Sequence, residues 1–148
     1  MKVINKFTVR FPSRSKNESF ARTVVSAFAS QLDPTIEEIS DIKTAVSEAV
    51  TNCIVHAYKN TVGEIYITCE QFDTGHLKIK IRDKGCGIED VKKAMEPLYS
   101  TGGEARAGLG FSVMESFMDG LRVTSKLGKG TTVTMKKVLS VKKDAGQE

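Results

Sequence analysis

The stretch at residues 41–58 constrains the fold most, because it carries an unbroken helical pattern. Its apolar residues recur every three or four positions, which places them on one helical face. They are Ile42, Ala45, Val46, Ala49, Val50, Cys53, Ile54 and Ala57. Glu48, Asn52 and His56 recur at helical spacing too, which predicts a polar stripe along an edge of that face. A carboxylate can accept a proton and an amide oxygen can bind magnesium, so this edge is either a site at a cleft or a solvated helix edge.

The composition is that of one globular domain. The chain has 148 residues, of which 40% are hydrophobic and 27% charged. We expect residues 1–140 to form a single domain and residues 141–148 to form a disordered tail. No apolar run reaches the roughly 18 residues of a membrane span, and the first residues lack a signal-peptide core. The sequence therefore predicts a soluble, cytoplasmic protein that does not contact a membrane.

Cysteine spacing and net charge each exclude a class of protein. Cys53, Cys69 and Cys86 match no zinc or CxxC pattern, so we interpret them as reduced thiols. The net charge of +4 is low for a nucleic-acid-binding module, and no recognition motif is present, so we expect no direct nucleic acid contact. The clearest basic cluster is interpreted as a solvated tail. Its members are Lys136, Lys137, Lys142 and Lys143.

The order of patterns along the chain predicts the fold class. Residues 7–11 alternate as a strand, and the sequences at 15–18 and 35–38 have the form of capping boxes that open helices. In the first helix we expect a buried stripe of Phe20, Val24, Ala27, Phe28 and Leu32. Two alternating segments, a short helix at 89–95, a helix from Phe111 and a last hairpin follow. This order predicts a two-layer α/β sandwich, in which helices cover one face of a mixed, mainly antiparallel sheet.

A first glycine motif follows a predicted strand. Asp83 stands at the strand end, where a carboxylate can accept a hydrogen bond from an exocyclic amine such as adenine N6. Gly85 and Gly87 would allow positive φ and a close approach of the backbone to a flat ring. The alternative is an ordinary turn, in which Asp-x-Gly is common.

A second glycine motif, Gly108-Leu109-Gly110, directly precedes the helix predicted from Phe111. Bare backbone N–H groups at a helix N-terminus bind phosphate. The preceding residues 100–107 would form a mobile lid, and Arg106 could meet a γ-phosphate. The alternative is a flexible linker with a salt-bridged arginine.

The three signals together resemble a known fold. Neither a P-loop nor a dinucleotide-binding fingerprint is present. The order Glu-x-x-x-Asn, Asp-x-Gly-x-Gly and Gly-x-Gly resembles the Bergerat ATP-binding fold of gyrase, heat-shock chaperone, histidine kinase and mismatch-repair ATPases. Within that fold, residues 15–22, 31–35, 42–52 and 114–119 resemble the sporulation anti-sigma F factors, a family of small serine kinases. The resemblance covers residues 5–138.

The resemblance implies roles for individual residues. Glu48 would act as general base on an acceptor serine, and Asn52 would coordinate the magnesium that bridges the ATP phosphates. Asp83 would recognise the adenine amino group, with Gly85 and Gly87 beside it. The lid would run from residue 100 to residue 110. The lid residues that contact the nucleotide would be Ser100, Thr101, Arg106, Gly108 and Gly110, with Arg106 on the γ-phosphate. Outside the lid, Thr131 would support the adenine through a water molecule.

The resemblance also implies partners. These are ATP or ADP, Mg²⁺, an anti-anti-sigma protein phosphorylated on serine, and the sporulation sigma factor F held on a homodimer. Arg22 on the first helix is either a docking residue for these proteins or a solvated arginine. Two other functions stay open. One is an ATP-gated switch without kinase activity, against which Glu48 argues; the other is a general-stress anti-sigma kinase, which shares the catalytic motifs.

Overall fold

The computed structural model describes residues 1–96 and 103–140, with side chains given throughout except at 103–109. Five strands and four α-helices follow one another in these ranges. In chain order they are β1 (Val3–Pro12), α1 (Lys16–Ala29), α2 (Ile36–Asn52), β2 (Glu64–Phe72), β3 (His76–Asp83), α3 (Val91–Ala94), α4 (Gly103–Phe117), β4 (Gly120–Lys126) and β5 (Gly130–Val138). None of the helices in these ranges is both long enough and apolar enough to cross a membrane.

The strands form one sheet in the order β1-β2-β3-β5-β4. Each neighbouring pair is antiparallel, and β1 and β4 lie at the edges. The antiparallel pairing of β3 with β5 places the end of β3 beside the start of β5, where Arg82 pairs with Thr132. The predicted two-layer α/β sandwich is confirmed, and within the described strands every pairing is antiparallel.

Alternation along the strands separates a buried face from an open one. On β2 and β3 every second side chain is inaccessible to solvent and packs under the helices. These side chains are Ile65, Ile67, Cys69, Leu77, Ile79 and Ile81. Burying each isoleucine or leucine contributes about 1.5–3 kcal/mol, so this face supplies much of the core stability. The intervening residues form the open face, and they include Tyr66, Thr68, Glu70, Lys78, Lys80 and Arg82.

Helix α2 is the centre of the helical layer. Thr35 closes the predicted capping box, because its Oγ1 accepts from the Glu38 N–H at 3.1 Å and the Glu38 carboxylate accepts from the Thr35 N–H at 2.9 Å. The predicted apolar face is buried along the whole helix. Its buried residues are Ile42, Ala45, Val46, Ala49 and Val50.

A wider helical turn, which the sequence pattern did not predict, follows α2. Residues Cys53–Ala57 form one π-helical turn, in which the Tyr58 N–H donates to the Cys53 carbonyl at 3.0 Å. The regular spacing of the predicted polar stripe therefore ends at Asn52. The same turn presents the Ala57 carbonyl to the Cys86 N–H at 3.0 Å. The π turn thus joins the end of α2 to the segment that follows β3.

Helix α1 differs from its prediction in two ways. Ser15 already has helical backbone angles and its side chain makes no capping hydrogen bond, so the predicted capping box at residues 15–18 was wrong. Of the predicted buried stripe, Phe28 and Leu32 are confirmed, whereas Phe20, Val24 and Ala27 are not buried; Ala21, Val25 and Ala29 are buried instead. Phe20 remains 45% exposed, because it lies against Phe11 at the sheet edge with ring centroids 5.8 Å apart.

Lys137 is buried, so its interpretation as part of a solvated tail was wrong. It is 8% exposed, and its Nζ donates to Asp41 Oδ2 at 3.1 Å and to the Phe117 carbonyl at 2.6 Å. A cation at the C-terminal end of α4 is favourable, and this one also holds the start of α2. The predicted tail at residues 141–148, including Lys142 and Lys143, lies outside the described residues.

Helix α4 begins at Gly103, earlier than the start predicted at Phe111. The intervening Glu104, Ala105, Arg106 and Ala107 are good helix formers, and they extend the helix through the glycine pair. Gly108 and Gly110 therefore lie inside α4 rather than before it, so the predicted helix start at Phe111 was wrong, while their contacts to phosphate stay a prediction. Ser100 and Thr101 lie outside the described residues.

Candidate functional site

A cavity of about 760 Å³ opens between α2, the segment after β3 and the start of β5. Asn52, Asp83, Gly87 and Thr131, which come from separate elements, all line it. The aliphatic side chains of Ile88, Val91, Leu127 and Val133 supply apolar wall. A concave, partly apolar cavity of this size with a few convergent polar groups is typical of a small-molecule site.

The carboxylate of Asp83 is fixed at the floor of this cavity. The residue is 5% exposed, and its Oδ1 accepts from the backbone N–H groups of Gly85 at 2.9 Å and Thr131 at 3.1 Å. Its Oδ2 accepts from the Cys53 thiol at 3.5 Å. Burial raises the pKa of Asp83, and these hydrogen bonds oppose that rise. Backbone N–H groups thus occupy Oδ1, whereas Oδ2 accepts from the weak thiol donor of Cys53.

The glycines near Asp83 allow segments to approach more closely than side chains would permit. A Cβ on Gly85 would lie 2.4 Å from the Ala57 carbonyl oxygen, and one on Gly87 would lie 2.2 Å from the Lys126 carbonyl oxygen. The expectation of positive φ is confirmed at Gly87, where φ is 74°, whereas Gly85 is not among the glycines with positive φ. At position 85 a glycine is needed because any Cβ would clash with the π turn, and not because of the backbone angle.

Hydroxyl groups hold the walls of the cavity together. Ser125 Oγ lies 2.7 Å from Thr131 Oγ1, accepts from the Ile88 N–H at 2.8 Å and donates to the Gly130 carbonyl at 3.0 Å. Tyr58 Oη accepts from the Lys84 N–H and donates to the Glu64 carbonyl, each at 2.6 Å. Sequence reasoning missed Ser125, Tyr58 and Cys53, because no local motif marks them.

Glu48 and Asn52 lie one turn apart on α2, and α4 packs against them through Gly110. A Cβ on Gly110 would lie 3.2 Å from Glu48 Oε2 and 3.3 Å from Asn52 Oδ1. Asn52 Nδ2 is buried and has no hydrogen-bond partner among the described residues. Because an unpaired buried amide is costly, this orphan atom is consistent with a polar ligand next to Asn52.

The protein groups near Asn52 could hold magnesium only if a bound ligand supplied further oxygen atoms. Within residues 1–96 and 103–140, no group of three or more His, Cys, Asp or Glu residues is arranged to hold a metal ion. Mg²⁺ usually takes one or two protein oxygens and completes its shell with water and substrate phosphates. The Asn52 amide oxygen fits that pattern.

A second groove, of about 520 Å³, runs between α1 and α2. Arg22, Lys43, Ser47 and Glu48 are among the residues that line it. Arg22 is paired with Glu18 at 3.7 Å, its side chain is 41% exposed, and Ser47 Oγ donates to the same Glu18 carboxylate. Glu48 therefore borders this groove on one side and lies next to Asn52, at the edge of the larger cavity, on the other.

The structure thus brings most of the predicted site residues together. Asn52, Asp83, Gly87 and Thr131 line the cavity, Gly85 supports it, and Glu48 and Gly110 lie next to Asn52. Arg22 lies in the neighbouring groove. Arg106 and Gly108 lie on α4, and the side chain of Arg106 is not described.

Known proteins resemble the chain over nearly its whole length. The family profile of the histidine kinase-like ATPase domain matches residues 11–137. A protein of Caldanaerobacter subterraneus subsp. tengcongensis named Anti-sigma F factor is 59% identical over 140 residues, which are 94% of this chain and 97% of that protein. The chain belongs to the anti-sigma F factor family. The Anti-sigma F factor of Clostridium acetobutylicum is 52% identical over 141 residues, 95% of this chain and 98% of that protein.

Solved structures support the anti-sigma F fold. The RsbU and RsbW domains of a Mycobacterium tuberculosis protein superpose with a TM-score of 0.68 at 18% identity, covering 91% of this chain and 32% of that chain. The histidine kinase domain of the Erythrobacter litoralis blue-light activated histidine kinase gives a TM-score of 0.56 at 20% identity, covering 86% and 63%. At these identities the likeness shows the fold alone.

The sequence resemblance to the anti-sigma F family is therefore confirmed. The protein is an anti-sigma factor built on a kinase-like ATPase domain, and that domain implies nucleotide binding.

Proposed function

We propose that residues 1–140 form a single kinase domain that binds Mg·ATP and transfers the γ-phosphoryl group to a serine of an anti-anti-sigma protein. In the same proposal, the chain binds and inhibits the sporulation sigma factor F. The position of Glu48 carries the proposal: this residue lines the groove beside Arg22 and lies one helical turn from Asn52, which lines the cavity. A base at that junction can reach a phosphate from one side and a protein hydroxyl from the other.

The adenine end of the nucleotide would lie on Asp83. Among the described residues, the one donor to its Oδ2 is the weak Cys53 thiol at 3.5 Å, so this oxygen can accept from an exocyclic amine. Thr131 and Ser125 form a hydroxyl pair at the same wall, which suits a water-mediated contact to a purine nitrogen. The close packing at Gly85 and Gly87 leaves backbone rather than side chains against the ring.

The phosphates would extend toward Asn52 and α4. The Asn52 amide oxygen would hold magnesium, which when bound neutralises phosphate charge during transfer. Ser100, Thr101, Arg106, Gly108 and Gly110 would complete the phosphate contacts. Because Gly110 now packs on Glu48 and Asn52, these contacts require α4 to change its position or its first turns when the triphosphate enters.

The transfer step needs little from the protein beyond positioning and one base. The acceptor serine Oγ forms a bond to the γ-phosphorus, the bond from that phosphorus to the bridging β–γ oxygen breaks, and ADP leaves. Glu48 takes the hydroxyl proton, and the groove that Arg22 lines would hold the acceptor protein while this happens.

The partners would bind a homodimer. β1 is an edge strand, so one side of its backbone is open for pairing with a second chain. Val3 and Ile4 on that strand and Phe20 beside it are exposed apolar residues. Pairing of two β1 edges would cover them, and it would place two Arg22 grooves in one assembly.

Transfer of label from [γ-³²P]ATP to a purified anti-anti-sigma protein tests this function. We expect label on the acceptor, phosphoserine after acid hydrolysis, and no transfer without magnesium. Glu37→Gln, at an exposed carboxylate of the same helix, is the matched control for Glu48→Gln. ATP binding without any transfer would overturn the kinase proposal and leave an ATP-gated switch.

A further inference from the structure

The open face of the sheet carries a concentration of cations. They come from outward-facing positions of β3, β4 and β5, from the residue that follows β3, and from the turn between β4 and β5. We call this set the basic face: Lys80, Arg82, Lys84, Arg122, Lys126, Lys129 and Lys136, all of them exposed. The chain as a whole has a net charge of only +4, so positive charge is segregated onto this side of the sheet.

Nothing in the described part of the chain neutralises the basic face by ion pairing. The ion pairs described there join Arg10 to Glu64, Arg22 to Glu18, Lys78 to Glu70 and Lys137 to Asp41. The register even places Lys78 directly opposite Lys136 on neighbouring strands. Like charges in that relation destabilise a sheet, and Glu70 offsets this for Lys78 but no ion pair among the described residues offsets it for Lys136.

The cations converge on an open cleft of about 590 Å³ at one end of the face. Arg82, Lys84, Lys126 and Lys129 line it. The Arg82 guanidinium and the Lys84 ammonium group lie 4.6 and 5.2 Å from the centre of the same Tyr66 ring. One ring therefore holds two cations side by side at the cleft, which fixes their positions before any ligand arrives.

We propose that the basic face is a docking surface for an acidic, extended segment of a protein partner. Alternate residues of a strand are about 6.8 Å apart, which is the spacing of Lys80 and Arg82 along β3, and Lys84 follows directly after that strand. Carboxylates at alternate positions of an extended segment have the same spacing. Thr132 and Thr134 lie across from Arg82 and Lys80 and can donate to the same carboxylates.

The shape of the surface favours a polypeptide over nucleic acid. Duplex DNA is read by a helix or ribbon that enters a groove, and this face is flat sheet. Single strands bind where bases can stack on open aromatic rings. The Tyr66 ring does not line the cleft, and Arg82 and Lys84 already lie over it. This proposal does not depend on the kinase activity.

Binding of a labelled poly-L-glutamate of about 20 residues tests the surface. Fluorescence anisotropy is measured on the full chain saturated with ADP, so that the probe cannot enter the nucleotide cavity. The test variant is Lys80→Glu with Arg122→Glu, two exposed residues that flank Thr134 in the sheet register. The control is Arg14→Glu with Lys16→Glu, which makes the same charge change on exposed residues away from the basic face.

We expect the test variant to weaken binding at least 10-fold and the control variant to weaken it less than 2-fold. Acetylation of lysines read by mass spectrometry should show that the probe protects Lys80, Lys126 and Lys136 and leaves Lys43 unprotected. Equal losses in the two variants would overturn the proposal, since they would indicate general charge attraction. Tighter binding of a thymidine 20-mer than of poly-L-glutamate would overturn it in favour of nucleic acid.

Discussion

The Asp83 carboxylate accepts a hydrogen bond from the Thr131 N–H at 3.1 Å and thereby joins the end of β3 to the start of β5. The same oxygen accepts from Gly85 at 2.9 Å. One buried side chain thus fixes two backbone segments at the floor of the cavity and keeps its second oxygen for a ligand. Structure and proposed nucleotide recognition depend on the same group.

Asp83→Asn should separate these two roles. An asparagine oxygen can still accept from Gly85 and Thr131, but its amide presents N–H groups where the adenine amine needs an acceptor. We expect ADP affinity to fall about 10- to 100-fold, the range for losing a hydrogen bond to a charged group. Isothermal titration with ADP measures this. Unchanged affinity would remove Asp83 from the adenine site.

The same substitution should have an opposite, pH-dependent effect on stability. Burial raises the pKa of Asp83 in the folded state, so the folded protein binds more protons than the unfolded chain between the two pKa values. Wild-type stability from this group is therefore present at low pH and falls as pH rises through the folded pKa. Asp83→Asn should be as stable as wild type or more so at pH 7, and the difference should shrink toward pH 4. Urea unfolding across this range would contradict the account if the difference grew on acidification.

Gly87→Ala tests the close approach of two segments beside the cavity. Gly87 has φ 74° and its added Cβ would lie 2.2 Å from the Lys126 carbonyl oxygen. Gly128 has φ 80° and nothing within 4 Å of an added Cβ, so Gly128→Ala is a control with the same backbone strain and no clash. We expect about 1 kcal/mol of lost stability in the control and about 2–4 kcal/mol at Gly87. Equal losses by urea unfolding would contradict the role of the contact.

Lys137→Ala should destabilise the fold, although the residue stands in a lysine-rich sequence. It leaves the partly buried Asp41 carboxylate and the Phe117 carbonyl without their shared donor. Removing one partner of a buried ion pair costs about 3–5 kcal/mol. The exposed neighbour Lys136 is the control, and Lys136→Ala should change stability by no more than about 0.5 kcal/mol. Similar urea midpoints for the two variants would show that the contacts of Lys137 with Asp41 and Phe117 do not stabilise the fold.

The three cysteines should differ in reactivity. Burial raises the pKa of Cys69 to about 12, and burial together with the Asp83 charge raises the pKa of Cys53. Cys86 is exposed. Because the thiolate is the reactive form, a thiol reagent at pH 8 should modify Cys86 quickly and the other two only after unfolding. Rapid modification of Cys69 in the native protein would contradict the packing under the helices.

The sequence predicted α2 well because its signals are local. The Thr35 capping box and the apolar repeat through Val50 depend on residues within a few positions of each other, and both are present. The four-residue spacing of Glu48 and Asn52 holds for the same reason. The π turn at Cys53–Ala57 was not predictable, because it is held by the Cys86 N–H and other groups from distant parts of the chain.

The errors share a cause in tertiary contact or competing propensity. The sequence pattern predicts a solvated Lys137, but the side chain is buried because the start of α2 and the end of α4 both contact it. The helical pattern predicts a buried Phe20, but its ring packs against Phe11 at the sheet edge and remains partly exposed. At Gly108 and Gly110 the glycine signal predicted a helix start, whereas the helix-forming residues before them carry α4 through.

Single-turnover transfer by Glu48→Gln, with nucleotide affinity measured on the same sample, tests the central claim most directly. Enzyme loaded with Mg·[γ-³²P]ATP is mixed with excess acceptor protein and quenched over time. We predict that Glu48→Gln binds ATP within about 3-fold of wild type and transfers phosphate at least 100-fold more slowly, which is the size expected for loss of a general base. Transfer at the wild-type rate by Glu48→Gln would contradict the account, because the carboxylate between cavity and groove would then have no part in the reaction.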